Sequence, residues 1–344
     1  MSLTNFLEAR ENKDVRQVFK EAFEKPKFKA DLTDFVKPTC VHPGMVGTAF
    51  DYLLRFYLER LNPFVIVESS WVAEHGLGIL ENYSFRELSQ TGRSIIKEAK
   101  KERCHYLETG KPTQRLFEIV LLLAQLDVVY RVSMKYLITD GYLLDKRDVG
   151  DLKNLFSLLK PEMFKTERIC LLNPTFNASP LVGAADADLI IDDSLIDIKT
   201  SKDPLFSRRD FNQLLGYFIL FRLGGVHRPP DEPIEDLEIE EIIQTLVINH
   251  IGIYYARYGE FFTFDINNVV NEQCYQPFHF SSFINWFERR AKRYTDSLRQ
   301  HQMEDVTCPY CKETMYSASR EVGKIVCIYC EKEFFLEKRG EHES

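Results

Sequence analysis

Apolar residues recur at helical spacing through much of the first half of the chain. Residues 14–24 offer Val15, Val18, Phe19, Ala22 and Phe23 to one face, which predicts a helix. A second helix is expected over 46–61, stopped ahead of Pro63, whose ring disfavours helical geometry in the residue before it. Residues 113–136, after Pro112, read as a long apolar helix, and 153–159 as a shorter one. From Ile169 the pattern changes to short β-type runs at 169–172, 187–191 and 195–198. A helical pattern returns over 208–223, with Ser207 placed to accept a free backbone N–H and Gly224-Gly225 placed to end it. Residues 246–255 and 261–265 read as strands, and a last helix is expected over 281–299. Helices, then a hairpin, a helix and two strands describe an α/β fold with a mixed β-sheet core. The organisation expected is a mainly helical region over 1–165 that lends its helix 46–61 to the core, a core over 166–300, and a small module over 304–340.

Composition narrows the class without naming a chemistry. A chain of 344 residues, 44% hydrophobic and 28% charged, is an ordinary globular protein of one large or two ordinary domains. No run of about 18 apolar residues occurs, so no membrane span is expected; the most apolar stretch, 116–129, is broken by Glu118, Gln125 and Asp127. The N-terminus lacks a basic-then-apolar leader, so the expected location is cytoplasmic. Eight cysteines are too few for a disulfide scaffold in a chain this long, and Cys40, Cys104, Cys170 and Cys274 are scattered. The net charge of −8 runs against a generic nucleic-acid binder. Whole-chain charge hides local distribution, however: much of the acid lies in 231–241, away from basic clusters at 97–103 and 289–293.

The chemistry concentrates in 183–200, Gly-Ala-Ala-Asp-Ala-Asp-Leu-Ile-Ile-Asp-Asp-Ser-Leu-Ile-Asp-Ile-Lys-Thr. Two apolar runs flank Asp192-Asp193, and aspartate tolerates the positive φ of a tight turn. A turn centred there sets Asp188 opposite Asp197 and Asp186 opposite Lys199. Strand alternation then sends Asp186, Asp188, Asp197 and Lys199 to one face, and Leu189, Ile191 and Ile198 to the other. Three like charges on one face of a hairpin are destabilising unless neutralised, and a hard divalent cation, Mg²⁺ or Mn²⁺, suits oxygen ligands. The lysine would position and help deprotonate a water while the cation stabilises charge on a phosphate oxygen.

These residues resemble the core of the PD-(D/E)XK nuclease superfamily, and within it the RecB-like branch. Its G-x-x-D, (D/E)-x-K-T and Q-x-x-x-Y appear in order as Gly183-x-x-Asp186, Asp197-Ile-Lys199-Thr200 and Gln213-Leu-Leu-Gly-Tyr217. The resemblance implies a restriction-endonuclease-like core with an N-terminal helical elaboration. It also implies metal-dependent hydrolysis of phosphodiester bonds, with DNA the first polymer to test. The first aspartate and Asp197 would ligate the metal, Lys199 would be the catalytic lysine, and Gln213 and Tyr217 would face the site or substrate. Spacing from Gly183 favours Asp186 as the first ligand; hairpin pairing favours Asp188, which is preferred. The branch also carries G-T-x-x-H-x-x-x-E on an upstream helix. Here Gly47-Thr48-Ala49-Phe50-Asp51 begins alike, but Asp51 stands at the histidine position and Arg55 at the glutamate position. Asp51 is a further candidate for the metal shell, while the departure argues against a second metal.

Cys308-Pro-Tyr-Cys311 and Cys327-Ile-Tyr-Cys330 form C-x2-C-x15-C-x2-C, the spacing of a structural Zn²⁺ ribbon with all four positions filled by thiolates. Some RecB-like nucleases hold an iron–sulfur cluster, but with one upstream cysteine and three downstream, which these two pairs fit poorly. No G-x-x-x-x-G-K-[ST] occurs, since Gly110-Lys111-Pro112-Thr113 lacks the upstream glycine, so any ATP-driven movement would come from a separate ATPase or helicase. By resemblance the setting would be repair, recombination or defence against foreign DNA. Two other readings stay open: a non-catalytic nucleic-acid- or protein-binding factor acting through the ribbon, and a nuclease directed at RNA.

Overall fold

The structure is a computed structural model describing residues 2–28, 35–62, 65–67, 70–83, 85–132, 137, 141–227, 237–271, 280–300, 304–307, 309–312, 314–317, 324–326 and 332–335. Its helices are α1 (Leu3–Glu8), α2 (Lys13–Ala22), α3 (Pro43–Leu61), α4 (Val72–Asn82), α5 (Arg86–Thr109), α6 (Gln114–Arg131), α7 (Lys146–Phe156), α8 (Pro161–Phe164), α9 (Arg208–Gly224), α10 (Leu237–Gln244) and α11 (Phe280–Gln300). The main strands are β1 (Val65–Val67), β2 (Cys170–Leu172), β3 (Leu189–Ile191), β4 (Ser194–Lys199), β5 (His250–Tyr255) and β6 (Glu260–Asp265). They form one mixed sheet in sequence order. An antiparallel β2–β3–β4 meander lies at its centre; β1 runs parallel to β2, β5 parallel to β4, and β6 antiparallel to β5. The parallel step from β4 to β5 is made through α9, because parallel neighbours need a crossover.

Both faces of the sheet are covered, which is why the strands are apolar on both sides. On one face Leu171, Ile190, Leu195 and Ile253 pack with Phe6 and Phe19 from α1 and α2, Phe218 from α9 and Phe287 from α11. On the other, Leu172, Leu189, Ile196 and Tyr254 pack with Leu53 from α3, Leu121 from α6 and Leu152 from α7. Neighbours such as Leu195 and Ile196 thus enter opposite cores, as alternation requires. The first 165 residues are shared between these layers: residues 3–23 and Ile66 join the first core, and the other apolar residues of 46–164 the second.

Several ends differ from the sequence pattern. Thr113 caps α6 through the Leu116 N–H, but the helix stops at Arg131, and 133–136 lie outside the described residues. α5 is a charged helix with a narrow buried stripe of Ile95, Ile96, Ala99 and Tyr106, so periodicity there is easily lost among its charges. β5 starts at His250, after α10 and a short connection, not at Leu246. Ser207 caps α9 as its sequence predicts, and Gly225 ends it at φ +66°, a conformation that favours glycine. Among the described residues no helix is long and apolar enough to cross a membrane. Near the C-terminus, β7 (Glu304–Thr307) pairs antiparallel with β8 (Thr314–Ser317), and β9 (Lys324–Val326) with β10 (Glu333–Phe335).

Candidate functional site

The hairpin turn is built by Asp192 at φ +49°. Its carboxylate accepts the backbone N–H groups of Glu167, Arg168 and Ile169 at 3.1, 2.8 and 3.1 Å, tying the turn to the chain entering β2. The register is Leu189↔Ile196, Ile190↔Leu195 and Ile191↔Ser194, as a turn centred on Asp192-Asp193 requires. Continued by one residue, it sets Asp188 across from Asp197. The pairing stops there because the chain bends at Asp188, whose Oδ2 accepts the N–H of Ile198 at 2.7 Å. Asp186 therefore does not face Lys199; it makes an isolated bridge with Thr175 and is exposed. Lys199 turns instead to Asp197, with Nζ 2.8 Å from Oδ2, and to Asp210, 3.7 Å away.

The electrostatics of this group are unusual. Asp197 is 5% exposed. Burial raises its carboxyl above the usual carboxylate range, a push that Lys199 opposes. Asp188 is raised well above that range, first by burial and then by Asp197 and Asp51. Asp186 is raised as well, by neighbouring atoms crowding its carboxyl although the residue as a whole is exposed, and the positive charge of Arg131 opposes that shift. For Lys199, burial favours the neutral amine, but Asp197 and Asp210 outweigh it and hold the amine protonated beyond its ordinary range.

Two helices close over these residues. On α9, Ser207 and Asp210 cap each other's backbone N–H groups. Two turns on, Gln213 donates to the Tyr217 hydroxyl at 3.0 Å. Burial, then the charges of Asp197 and Asp188, push that hydroxyl well up. On α3, a Cβ at Gly47 would lie 2.9 Å from the Thr200 hydroxyl; the missing side chain lets the helix approach the end of β4. Asp51, one turn on, is held by Arg55, with Nη2 2.7 Å from its Oδ2. Its Oδ1 is buried without a hydrogen-bond partner. Burial opposes charge on Arg55, but Asp51, Tyr52 and Asp127 more than compensate. The sequence-predicted Asp51, Asp188, Asp197, Lys199, Gln213 and Tyr217 are thus brought together where β4 ends and α3 and α9 meet it, with Asp186 at the rim.

No protein family, no curated protein and no solved structure matches this chain. What the site can do therefore rests on its own chemistry. Among the described residues no three His, Cys, Asp or Glu side chains gather closely enough to hold a metal ion by themselves. Asp188 and Asp197 are nevertheless a hard-oxygen pair that repel each other when ionised. Mg²⁺ commonly takes only one or two protein carboxylates and completes its shell with water and substrate phosphate. The pair fits such an ion. The zinc expectation falls largely elsewhere: Cys308, Cys327 and Cys330 lie outside the described residues, and Cys311 sits in the turn between β7 and β8.

Other members of the site escape a sequence reading. Asp127 interrupts the apolar α6, where the Tyr52 hydroxyl donates to it at 2.6 Å and Arg131 lies 3.8 Å away. Burial pushes the Asp127 carboxyl up to about 6 despite both partners. A raised carboxylate means that the folded state holds its proton more tightly, so its contribution to stability falls as pH rises through about 4 to about 6. Asp127→Asn keeps an oxygen for Tyr52 and removes this penalty. The variant should gain up to about 3 kcal/mol relative to wild type between pH 4 and pH 7, read from denaturant midpoints. A difference independent of pH would show that Asp127 does not titrate there.

Beyond β4, Arg257 donates through Nε to the Thr200 carbonyl at 2.7 Å. It also grips Asp151 of α7 through Nη1 and Nη2 at 3.1 and 2.7 Å. Asp151 in turn accepts the Thr39 N–H, and Asp148 accepts those of Val41 and His42. The end of β4 and the chain entering α3 are thereby fastened to one helix.

Proposed function

We propose that this chain is a cation-dependent phosphodiesterase acting on nucleic acid, a nuclease of the PD-(D/E)XK type with DNA as the expected polymer. The observation that carries the reading is a pair of carboxylates, buried Asp197 and half-buried Asp188, repelling each other beside the ammonium of Lys199. A site that burdens the fold this way calls for a ligand of opposite charge. The path from α3 through β2–β3–β4 and α9 to the parallel β5 supports a restriction-endonuclease-like core. The four cysteines and the two short hairpins around them support a structural Zn²⁺ ribbon in the C-terminal module.

Asp188 and Asp197 would hold a Mg²⁺ or Mn²⁺ ion, which when bound lowers the pKa of water and stabilises charge on a phosphate oxygen. The protein's own groups divide the rest. Lys199, 2.8 Å from Asp197 and 3.7 Å from Asp210, donates from Nζ and orients a water or a phosphate oxygen. Tyr217 stays a neutral hydroxyl and, steadied by Gln213, is a second donor aimed at the acids. The apolar layers on both sides of the sheet shield these charges from bulk water, which strengthens each of them.

The experiment that tests the reading is cleavage of labelled single- and double-stranded DNA and RNA in Mg²⁺, Mn²⁺ or EDTA. Metal-dependent cutting supports it and names the polymer. Binding without cutting favours the alternative of a non-catalytic nucleic-acid-binding factor.

A companion result is expected from stability alone. Asp188→Asn keeps an acceptor for the Ile198 N–H but removes the repulsion, so the metal-free variant should melt above metal-free wild type. The rise in melting temperature on adding Mn²⁺ to wild type, roughly 5 °C at saturating ion, should largely vanish in the variant. An equal rise in both proteins would remove Asp188 from the cation site.

A further inference from the structure

Two cations strap the segment leaving β4 to the chain that follows α2. Lys25 reaches across and donates from Nζ to the Phe206 carbonyl at 2.8 Å. Arg208 reaches back and donates from Nη1 to the Phe23 carbonyl at 3.0 Å. Each also lies over an aromatic ring: Lys25 is 4.9 Å from the centre of Phe206, and Arg208 is 5.1 Å from that of Phe211. Those two rings meet edge-on, 5.8 Å apart, and are 6% and 0% exposed. The two charges therefore stand side by side on a packed floor, and both side chains keep spare donors. An ammonium has three and a guanidinium five, of which the main chain takes few.

Nothing of opposite charge completes this pair. Among the described residues neither cation has an ion-pair partner. Asp210, on the same turn of α9 as Arg208, is already engaged: its Oδ2 accepts the Ser207 N–H at 3.0 Å, and its Oδ1 lies 3.7 Å from Lys199 Nζ. Glu24 and Asp203, the other acids of the two segments, are exposed, as are Lys27, Lys202 and Arg209. Over 23–28 and 200–210 five cations thus meet three acids, in a chain whose net charge is −8. Burial and the charge of Arg208 hold the Lys25 amine below its ordinary range, against Asp210, and burial lowers Arg208 as well. Each charge stands at a cost that an anion would offset.

We propose that Lys25 and Arg208 form a second phosphate site, which holds the nucleic-acid backbone beside the phosphate at Lys199. Asp210 links the two places, since it follows Arg208 by two residues and reaches Lys199. Arg208 offers a planar fork to two phosphate oxygens, and Lys25 a point charge. Contacts of this kind fix the register of a strand and carry no base sequence. Neither residue touches the reacting phosphate, so both are binding residues. The inference rests on the nuclease reading of Asp188, Asp197 and Lys199, and its test separates the two claims.

The test uses the full chain with labelled single-stranded oligonucleotides of DNA and RNA. Affinity is read by fluorescence anisotropy in EDTA over a range of salt, and cleavage is followed in Mn²⁺. Lys25→Gln and Arg208→Gln should each raise Kd and KM roughly 10-fold with kcat little changed. Each should also flatten the fall of log affinity with log salt by about 0.7, the share of one phosphate contact. Lys25→Arg should keep the wild-type slope. Lys97→Gln, at an exposed lysine of α5, is the control and should change neither quantity. Glutamine variants with wild-type Kd, KM and salt slope would overturn the phosphate site and leave the nuclease standing. A fall in kcat at unchanged KM, or an equal loss in Lys97→Gln, would overturn it as well. Should a glutamine variant fail to fold, amine acetylation of wild type decides: the oligonucleotide should protect Lys25 and not Lys97, read by mass spectrometry. Lys25 left unprotected, or protected by inorganic phosphate and not by the oligonucleotide, would overturn the proposal. Wild type that binds through this pair but cuts nothing would keep the phosphate site and bring down the nuclease reading. Wild type that neither binds nor cuts would bring down both.

Discussion

Asp197→Ala and Lys199→Ala should each reduce the proposed cation-dependent cleavage by a factor on the order of 10³ or more, because each would remove several kcal/mol of charge stabilisation at the phosphate. The two losses have different origins, which a second measurement separates. Asp197→Ala removes half of the carboxylate pair, so it should also lose the melting-temperature rise that Mn²⁺ gives wild type. Lys199→Ala leaves both carboxylates in place and should keep that rise while losing cleavage. Lys199→Arg keeps a positive charge beside Asp197, but a planar fork does not reproduce a point ammonium, so only partial recovery is expected. Cutting that survives both alanine variants would point to a contaminating enzyme and sink the assignment of these residues.

The largest effect on the fold is expected from a pair that touches no substrate. Asp151→Ala should destabilise the protein by about 3–5 kcal/mol, because it strands a buried guanidinium. Asp151 and Arg257 are 0% and 2% exposed, and Arg257 has no comparable carboxylate partner among the described residues. The loss should spread to the site, since Arg257 also holds the Thr200 carbonyl directly after Lys199. Cleavage should therefore fall even at temperatures where the variant remains folded. Replacing both residues together, as Asp151→Leu with Arg257→Met, should cost far less than Asp151→Ala, because no charge is left alone. Chemical denaturation of the three proteins decides this; a double variant as unstable as the single would mean that the pair is a net source of stability.

Much of the site could be read from the chain because its determinants are local. The turn at Asp192-Asp193 fixes the register of the strands on either side, and that register sets Asp188 against Asp197. Ser207 and Gly225 bound α9 through backbone rules that act within a few residues, which places Gln213 and Tyr217 on consecutive turns. Asp186 shows where local reasoning ended: the alternation of β3 stops at a bend, and a bend stabilised by Asp188 accepting the Ile198 N–H has no periodic signature.

The remainder depended on contacts between distant segments. Arg257 meets Asp151 across 106 residues, and Tyr52 meets Asp127 across 75. Gln125 and Asp127 look in sequence like faults in an apolar helix, yet Gln125 exchanges two hydrogen bonds with the Leu143 backbone and Asp127 takes the Tyr52 hydroxyl. A polar residue inside a strongly apolar helix is the signal that would have singled them out, since burial demands a partner. Arg55 was visible only as a departure from a motif; its contact with Asp51, one helical turn away, shows that it neutralises the acid it follows.

The two-residue turn also makes spacing itself part of the chemistry. Eight residues, 189–196, separate Asp188 from Asp197, and the Asp192 carboxylate anchors the loop to three amides of a neighbouring segment. A one-residue insertion or deletion that slipped β4 would exchange its two faces, turning Asp197 and Lys199 into one apolar core and Ile196 and Ile198 toward the acids. Substitutions at hairpin positions other than Asp188, Asp192, Asp197 and Lys199 can be absorbed one side chain at a time, but a change of length cannot. Sequences descended from this one should therefore vary in the letters of the hairpin well before they vary in its count.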